Sequence, residues 1–324
     1  MARDKLLERI SGCFLGLAVG DALGVPVEFR SRKDLDARPV DGMRGYGTWH
    51  QAPGTWSDDS SMTFCLAESL AGSYDLRDIA NGFLRWYREG YWAAHYHVFD
   101  IGETTRHALS RIKGGEDPLF SGGLDVESNG NGSLMRIAPV ALYSHGLNEA
   151  DFFARIREVS GITHAHFRSV FSCYLFGTIV REILCNKSKS EALASAAARV
   201  KEFAAVSEFN RDELGRFERI LSGRLLQAER NSINSDGYVV STLEAAIWSF
   251  LTTDNYKDAV LKAVNLGEDT DTTACVTGAL AGLYYGEAAI PSQWREVLAR
   301  EKDILKLSCD FTESLKNRIL PEKT

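Results

Sequence analysis

The sequence predicts an all-α protein, a single multi-helix domain over residues 1–324. Three observations carry that expectation. Apolar residues recur at i, i+3, i+4 spacing in segment after segment. Alternating strand-like runs are scarce, and no Pro/Ser-rich linker or fixed-period repeat divides the chain. With 324 residues, 44% of them hydrophobic and 25% charged, the chain can bury a large core and has an ordinary composition for a soluble globular protein.

Taken in order, "CFLGLAVG" is apolar, but Glu8, Arg9 and Asp21 flank it and no cleavage pattern closes it, so it is not read as a signal peptide. No apolar run reaches the roughly 18 residues of a membrane-crossing helix. "DLRDIANGFLRWYREG" puts Ile79, Phe83, Leu84 and Tyr87 on one helical face and stops at Gly90. "RSVFSCYLFGTIVREIL" is apolar nearly all round, as a central buried helix is. "SEALASAAARVKEFAAV", "RDELGRFERIL", "TLEAAIWSFL" and "YKDAVLKAV" each read as amphipathic helices, and "YVVST" is the one weak strand candidate. "PSQWREVLAREKDIL" reads as a helix opened by Pro291 in its first turn.

Charge excludes one class of partner. The formal charge is −7 and no basic run is longer than "RSRK", which Asp34 and Asp36 interrupt. A phosphate-tracking nucleic-acid binder shows a basic stripe instead. Six cysteines (Cys13, Cys65, Cys173, Cys185, Cys275, Cys309) form no CxxC pair, so they read as reduced thiols of a cytoplasmic protein rather than a disulfide or zinc framework.

The chemistry is expected in the Gly-rich breaks between helices. "GTWSDDSSM" places Asp58 and Asp59 side by side at a helix entrance, where capping needs one acid and two repel. "NLGEDTDTTACV" places Asp269 and Asp271 at another. If the two entrances face one another, four carboxylates need countercharge, because like charges raise each other's pKa. An all-oxygen set of these acids, the hydroxyls of Ser57 and Thr272, and Glu28 suits magnesium, calcium or manganese rather than zinc. Either motif alone also reads as an ordinary acidic helix N-terminus; their joint occurrence with Glu28 favours metal. Asn129, Gly130, Asn131, Gly132 and Ser133 form "NGNGS", either a backbone-amide cradle for an anion or a tight turn with left-handed residues. His164 and His166, two apart, do not share a helix face and read as capping or hydrogen-bonded structural groups. Asp100, a lone acid between Phe99 and Gly102, looks placed in a loop.

Six segments together, "GCFLGLAVGDALGVPVEF", "GTWSDDSSM", "FDIGETTRHAL", "NGNGSLMRIAPV", "ITHAH" and "LGEDTDTTACVTGALAGLYYG", resemble the ADP-ribosylglycohydrolase family in kind and order, over about residues 10 to 285. The resemblance implies an all-α orthogonal bundle that carries two magnesium or manganese ions and removes ADP-ribose from modified side chains. It makes Ser57, Asp58, Asp59, Asp269, Asp271 and Thr272 metal ligands and Asp100, Glu28 and Asp59 catalytic. It further makes Asn129 to Ser133 the cradle of the ADP-ribose phosphates, with His164 and Trp56 on the substrate side. Two departures stand out: Ser57 where many relatives have Thr, and Glu268 where a small residue is common. The "FDIG" acid favours cleavage of the N-glycosidic bond to arginine, on an ADP-ribosylated protein in the cytoplasm. The alternatives are an O-linked (serine) target or a non-catalytic relative resembling the J1 crystallins.

Overall fold

Glycine recurs at every fourth position of the first helix, at residues 12, 16, 20 and 24, and this spacing organises the molecule. Residues at i and i+4 lie on one helical face, so α1 (Arg3–Gly24) carries a groove with no side chains. The α14 helix (Thr270–Tyr285) lies in that groove, backbone against backbone. A Cβ on Gly12 would stand 2.3 Å from the Gly282 carbonyl oxygen, on Gly16 2.4 Å from that of Gly278, and on Gly20 2.1 Å from that of Ala274. At the end of the seam, a Cβ on Gly24 would meet the Asp271 backbone at 2.3 Å. The seam therefore delivers the start of α14, with its acids, to the end of α1.

The structure is a computed structural model and describes residues 3–319. The first two and last five residues of the expected domain lie outside that range. Between α1 and α14 the chain runs through α2 (Arg32–Ala37), α3 (Asp58–Gly72), α4 (Leu76–Glu89), α5 (Glu103–Lys113), α6 (Ala138–Tyr143), α7 (Glu149–Gly161) and α8 (Phe167–Leu184). It continues through α9 (Lys189–Val206), the short α10 (Arg211–Gly215) and α11 (Glu218–Leu221), then α12 (Val239–Leu251) and α13 (Tyr256–Val264). After α14 come α15 (Ser292–Arg295) and α16 (Glu301–Ile319). Among the described residues there is no strand, only two isolated bridges, Gly123–His164 and Gly130–Tyr238. The all-α expectation holds.

The α1 helix also packs on α3, α13 and α16, and the buried apolar residues of all these elements form one cluster. Residues 5–27 are long and apolar enough by composition to cross a membrane, with mean hydropathy 1.7, which the sequence reading had not found. Alanines and glycines fuse its short apolar runs, and the whole window is buried inside the protein.

Four other expectations change in detail. The buried stripe of α4 is Ile79, Ala80, Phe83 and Trp86, while Tyr87 is exposed: the helix turns its indole inward. "YVVST" is the first turn of α12, since Thr242 N–H donates to the Tyr238 carbonyl at 3.0 Å. "RDELGRFERIL" divides into α10 and α11 around the buried Phe217. The segment after Pro291 breaks into α15 and α16: Pro291 is the N-cap of α15, Ala299 N–H donates to the Gly54 carbonyl at 2.9 Å, and Arg300 adopts φ +52°.

Candidate metal centre

Two acids at a helix mouth raise the question of which one caps it, and neither does. Asp21, fully buried on α1, accepts Ser57 N–H at 2.9 Å, Ser60 N–H at 3.1 Å and the Ser60 hydroxyl at 2.6 Å. The Ser57 hydroxyl accepts Asp59 N–H at 3.2 Å. With the orphan amides of α3 satisfied from elsewhere, Asp58 and Asp59 are released to face the mouth of α14.

Three carboxylates there share one pattern, with one oxygen on a protein donor and the other buried without a partner among the described residues. Asp59 Oδ1 accepts the Thr272 hydroxyl at 3.2 Å, and its Oδ2 has no partner. Asp271 Oδ1 accepts Thr272 N–H at 2.9 Å, and its Oδ2 is orphaned. Asp269 Oδ2 accepts the Asn131 amide at 2.7 Å, and its Oδ1 is orphaned. Buried polar atoms are nearly always paired, so three orphaned carboxylate oxygens in one cluster fit a cation.

Ligand atoms of Asp21, Asp59 and Asp271 lie within 4.8 Å of one another, as do those of Glu28, Asp269 and Asp271. The two triads share Asp271. Asp58 is buried nearby but belongs to neither, and the first includes Asp21, whose two oxygens are already engaged by Ser57 and Ser60. Ser57 and Thr272 both border the cluster, with their hydroxyls already bonded as described.

Burial and mutual repulsion push these acids up together. Asp58, Asp59 and Asp271 stand well above the usual carboxylate range, with desolvation as the leading cause and neighbouring carboxylates adding to it. Desolvation raises Asp21 to about 7. It raises Glu28, with help from the Asp100 charge, to about 9, while the Trp49 indole N–H donates to Glu28 Oε2 and opposes the rise. Asp100, raised to about 6 by desolvation and by Asp269, lies within hydrogen-bonding reach of Asp271 and Glu28. It is also one of the few non-glycine residues at positive φ (+53°). The structure thus brings Glu28 and Asp100 together with the metal candidates.

The backbone of the Glu28 loop is held from two sides. Phe29 N–H donates to the Glu268 carbonyl at 2.7 Å, and Glu268 N–H donates back to the Arg30 carbonyl at 2.8 Å. Glu268, the family departure, is exposed and at positive φ (+59°). Over the Glu28 carboxyl, Trp49 stands between Phe29 and Phe99, with ring centroids 6.2 and 5.7 Å away.

The "NGNGS" segment turns its side chains inward. Asn129 donates to the Val126 carbonyl at 2.8 Å, Asn131 ties Asp269 to Thr242, and the Ser133 hydroxyl accepts that of Ser160 at 2.9 Å. The Asn131 backbone N–H donates to the Gly237 carbonyl at 3.1 Å, while the backbone amides of Gly130, Gly132 and Ser133 have no hydrogen-bond partner among the described residues. No residue of the segment adopts positive φ, so left-handed turn geometry is not why it holds glycine. The reason is contact: a Cβ on Gly132 would lie 2.8 Å from the His164 ring. His164 is buried, bonded through Nδ1 to the Thr163 hydroxyl at 2.7 Å, and kept neutral, its pKa near 3, by burial and the Arg136 charge. His166 accepts Arg168 N–H and caps α8. Both histidines are hydrogen-bonded as the residue pattern suggests, and the His164 ring also lies against Gly130 and Gly132 of the segment expected on the substrate side.

Three residues correct or extend the expected set. Trp56 is core, not ligand wall: it is buried, packs on Phe64 at 5.5 Å and donates to the Trp92 carbonyl. Arg136 is fully buried beneath the loop, donating to the Gly132 carbonyl and the Thr163 hydroxyl, and was not singled out in the sequence. Trp49 was not singled out in the sequence either; its place at the site shows only in the indole N–H that it donates to Glu28.

The ADP-ribosylglycohydrolase family model matches residues 2–321. The chain is 36% identical over 307 residues to the ADP-ribosylarginine hydrolase Tri1 of Pseudomonas putida, covering 94% of this chain and 78% of that one. It is 31% identical over 300 residues to the ADP-ribosyl-[dinitrogen reductase] glycohydrolase of Rhodospirillum rubrum, covering 91% of each. A solved structure described as an ADP-ribosylglycohydrolase-related protein complex superposes with a TM-score of 0.81 at 32% identity, over 96% of this chain and 99% of that one.

Proposed function

Because the chain belongs to the ADP-ribosylglycohydrolase family, we propose that it hydrolyses the N-glycosidic bond joining ribose C1″ of ADP-ribose to the guanidinium of a modified arginine. The observation that carries this reading is the trio of half-satisfied carboxylates, Asp59, Asp269 and Asp271, in two oxygen triads that share Asp271. The names of two relatives, one an arginine hydrolase and one a dinitrogen-reductase glycohydrolase, support the chemistry. An all-oxygen donor set favours magnesium or manganese as the resident ions, and the two triads favour a pair of them. When bound, the cations supply positive charge that offsets the carboxylates and polarises oxygen atoms of ribose and water.

The chain's own residues do the rest. The amides of Gly130, Gly132 and Ser133 hold the pyrophosphate, and Asn131 joins that loop to Asp269, so phosphate binding and the metal centre share one anchor. Cleavage passes through an oxocarbenium-like state. As the C1″–N bond breaks and a water oxygen bonds to C1″, one proton leaves the water and one reaches the departing guanidine nitrogen. Glu28 and Asp100, within hydrogen-bonding reach of each other, are the carboxyl pair assigned to that exchange, one as proton donor and the other as acceptor. Trp49 orients Glu28 through its indole N–H. Six unpaired thiols support work in the reducing cytoplasm.

The test is release of free ADP-ribose from an ADP-ribosylated arginine peptide and from a serine-linked one, each with magnesium and with a chelator. We expect release from the arginine peptide alone, and only with magnesium. Release from the serine peptide alone, or from neither, would overturn the reading.

A further inference from the structure

Beside the Glu28 loop, lined in part by Pro26, Val27 and Arg30, lies a cavity of about 580 Å³ whose charge is opposite to that of the metal centre. Its lining includes three guanidinium groups, Arg30, Arg38 and Arg44, against one carboxylate, Asp34. Among the described residues none of the three arginines has an ion-pair partner, whereas Asp34 is engaged by the Ser31 hydroxyl at 2.7 Å. Arg44 is the sharper observation: its Nε and Nη2 are buried and have no hydrogen-bond partner among the described residues. A buried guanidinium nitrogen without an acceptor is costly, and proteins rarely keep one without a reason. In a chain of net charge −7, three unpaired arginines around one hollow are not general surface basicity.

We propose that this cavity is an anion site, distinct from the metal centre, for a small free oxyanion of the phosphate class. A planar guanidinium presents parallel N–H donors that match two oxygens of a phosphate; Arg44 lines the cavity, and its Nε and Nη2, closed to solvent, find no acceptor among the described residues. Arg38 at the end of α2 and Arg30 before its start supply charge from the rim. The wall between them is Pro26, Val27 and Leu35. That wall is continuous with the catalytic loop: Thr48 N–H donates to the Pro26 carbonyl at 3.0 Å, and the Thr48 hydroxyl to the Glu28 carbonyl at 2.7 Å. An anion held here therefore rests against the backbone that carries Glu28, and leaves the ADP-ribose cradle at "NGNGS" open.

The test is titration of the magnesium-loaded protein, saturated with ADP-ribose, with inorganic phosphate, following the arginine Nε–H signals by 15N NMR. Sodium chloride at matched ionic strength is the control. We expect the Arg44 Nε–H resonance to shift and saturate with phosphate and not with chloride. Arg38→Gln, an exposed change that leaves folding intact, should weaken the phosphate response at least fivefold, and in Arg44→Gln the Arg30 and Arg38 Nε–H signals should no longer shift with phosphate. An equal response to chloride would show screening only and overturn the proposal. So would unchanged phosphate affinity in Arg38→Gln, or a response seen only without ADP-ribose, which would assign the anion to the ADP-ribose cradle.

Discussion

At the scale of single residues, the centre divides capping from coordination. Asp21 and Ser57 satisfy the first turn of α3, so the acids that follow keep oxygens free. Substrate binding and chemistry divide in the same way, and two substitutions separate them. Gly132→Val puts bulk against the His164 ring, which even a Cβ would approach to 2.8 Å, and disturbs the amide cradle. ADP-ribose affinity measured by calorimetry should fall at least tenfold, about 1.4 kcal/mol, with manganese occupancy unchanged. Asp100→Asn keeps the side-chain shape and tolerates the left-handed backbone at φ +53°, so ADP-ribose binding should persist. Its kcat should fall on the order of 100-fold or more, with KM held, as for an interaction made in the transition state. Asp59, Asp269, Asp271, Glu28 and Asp100 were legible because acids at helix mouths and in a glycine-rich loop have few structural duties. Asp21 was not, because it sits inside an apolar run and serves a helix 36 residues away. Trp56 misled for the opposite reason: it adjoins the acids in sequence but points into the core.

At the scale of elements, the α1–α14 seam sets the register of the metal centre. Gly→Ala inside an ordinary exposed helix stabilises by up to about 1 kcal/mol. Gly20→Ala should do the reverse, because its Cβ would meet the Ala274 carbonyl at 2.1 Å. Overpacking of this kind costs about 1–3 kcal/mol, read as a lower urea midpoint with an unchanged slope. Gly24→Ala presses on the Asp271 backbone itself and should also weaken manganese binding. The four-residue glycine period was present in the sequence, but glycine there reads first as a helix weakener; only the partner helix shows what the groove receives. Helical periodicity located the long helices well. It failed where tertiary contacts cut a helix, as at the Gly54–Ala299 hydrogen bond, or rotated one, as at Trp86.

At the scale of the whole molecule, a buried cluster of acids makes the fold depend on pH and on cations together. In the metal-free protein, Asp100 is raised to about 6, Asp21 to about 7 and Glu28 to about 9. A carboxyl whose folded pKa lies above its unfolded value of about 4 favours the fold while protonated, and that contribution is lost as pH rises through the folded value. In chelator the melting temperature should therefore fall steadily from pH 5 to pH 9. With magnesium the charged acids gain their counterions, and the gap between the two curves should widen as pH rises. A chelator curve that climbs over this range would contradict the assignment of the raised groups. The central claim, that Asp271 joins two oxygen triads into one two-cation centre, has a more direct test in anomalous scattering from manganese-soaked crystals. The account predicts two peaks on the order of 3.5–4 Å apart, both touching Asp271, with one near Asp59 and the other near Asp269. A single peak away from Asp271, or no peak in crystals whose protein still releases ADP-ribose, would contradict it.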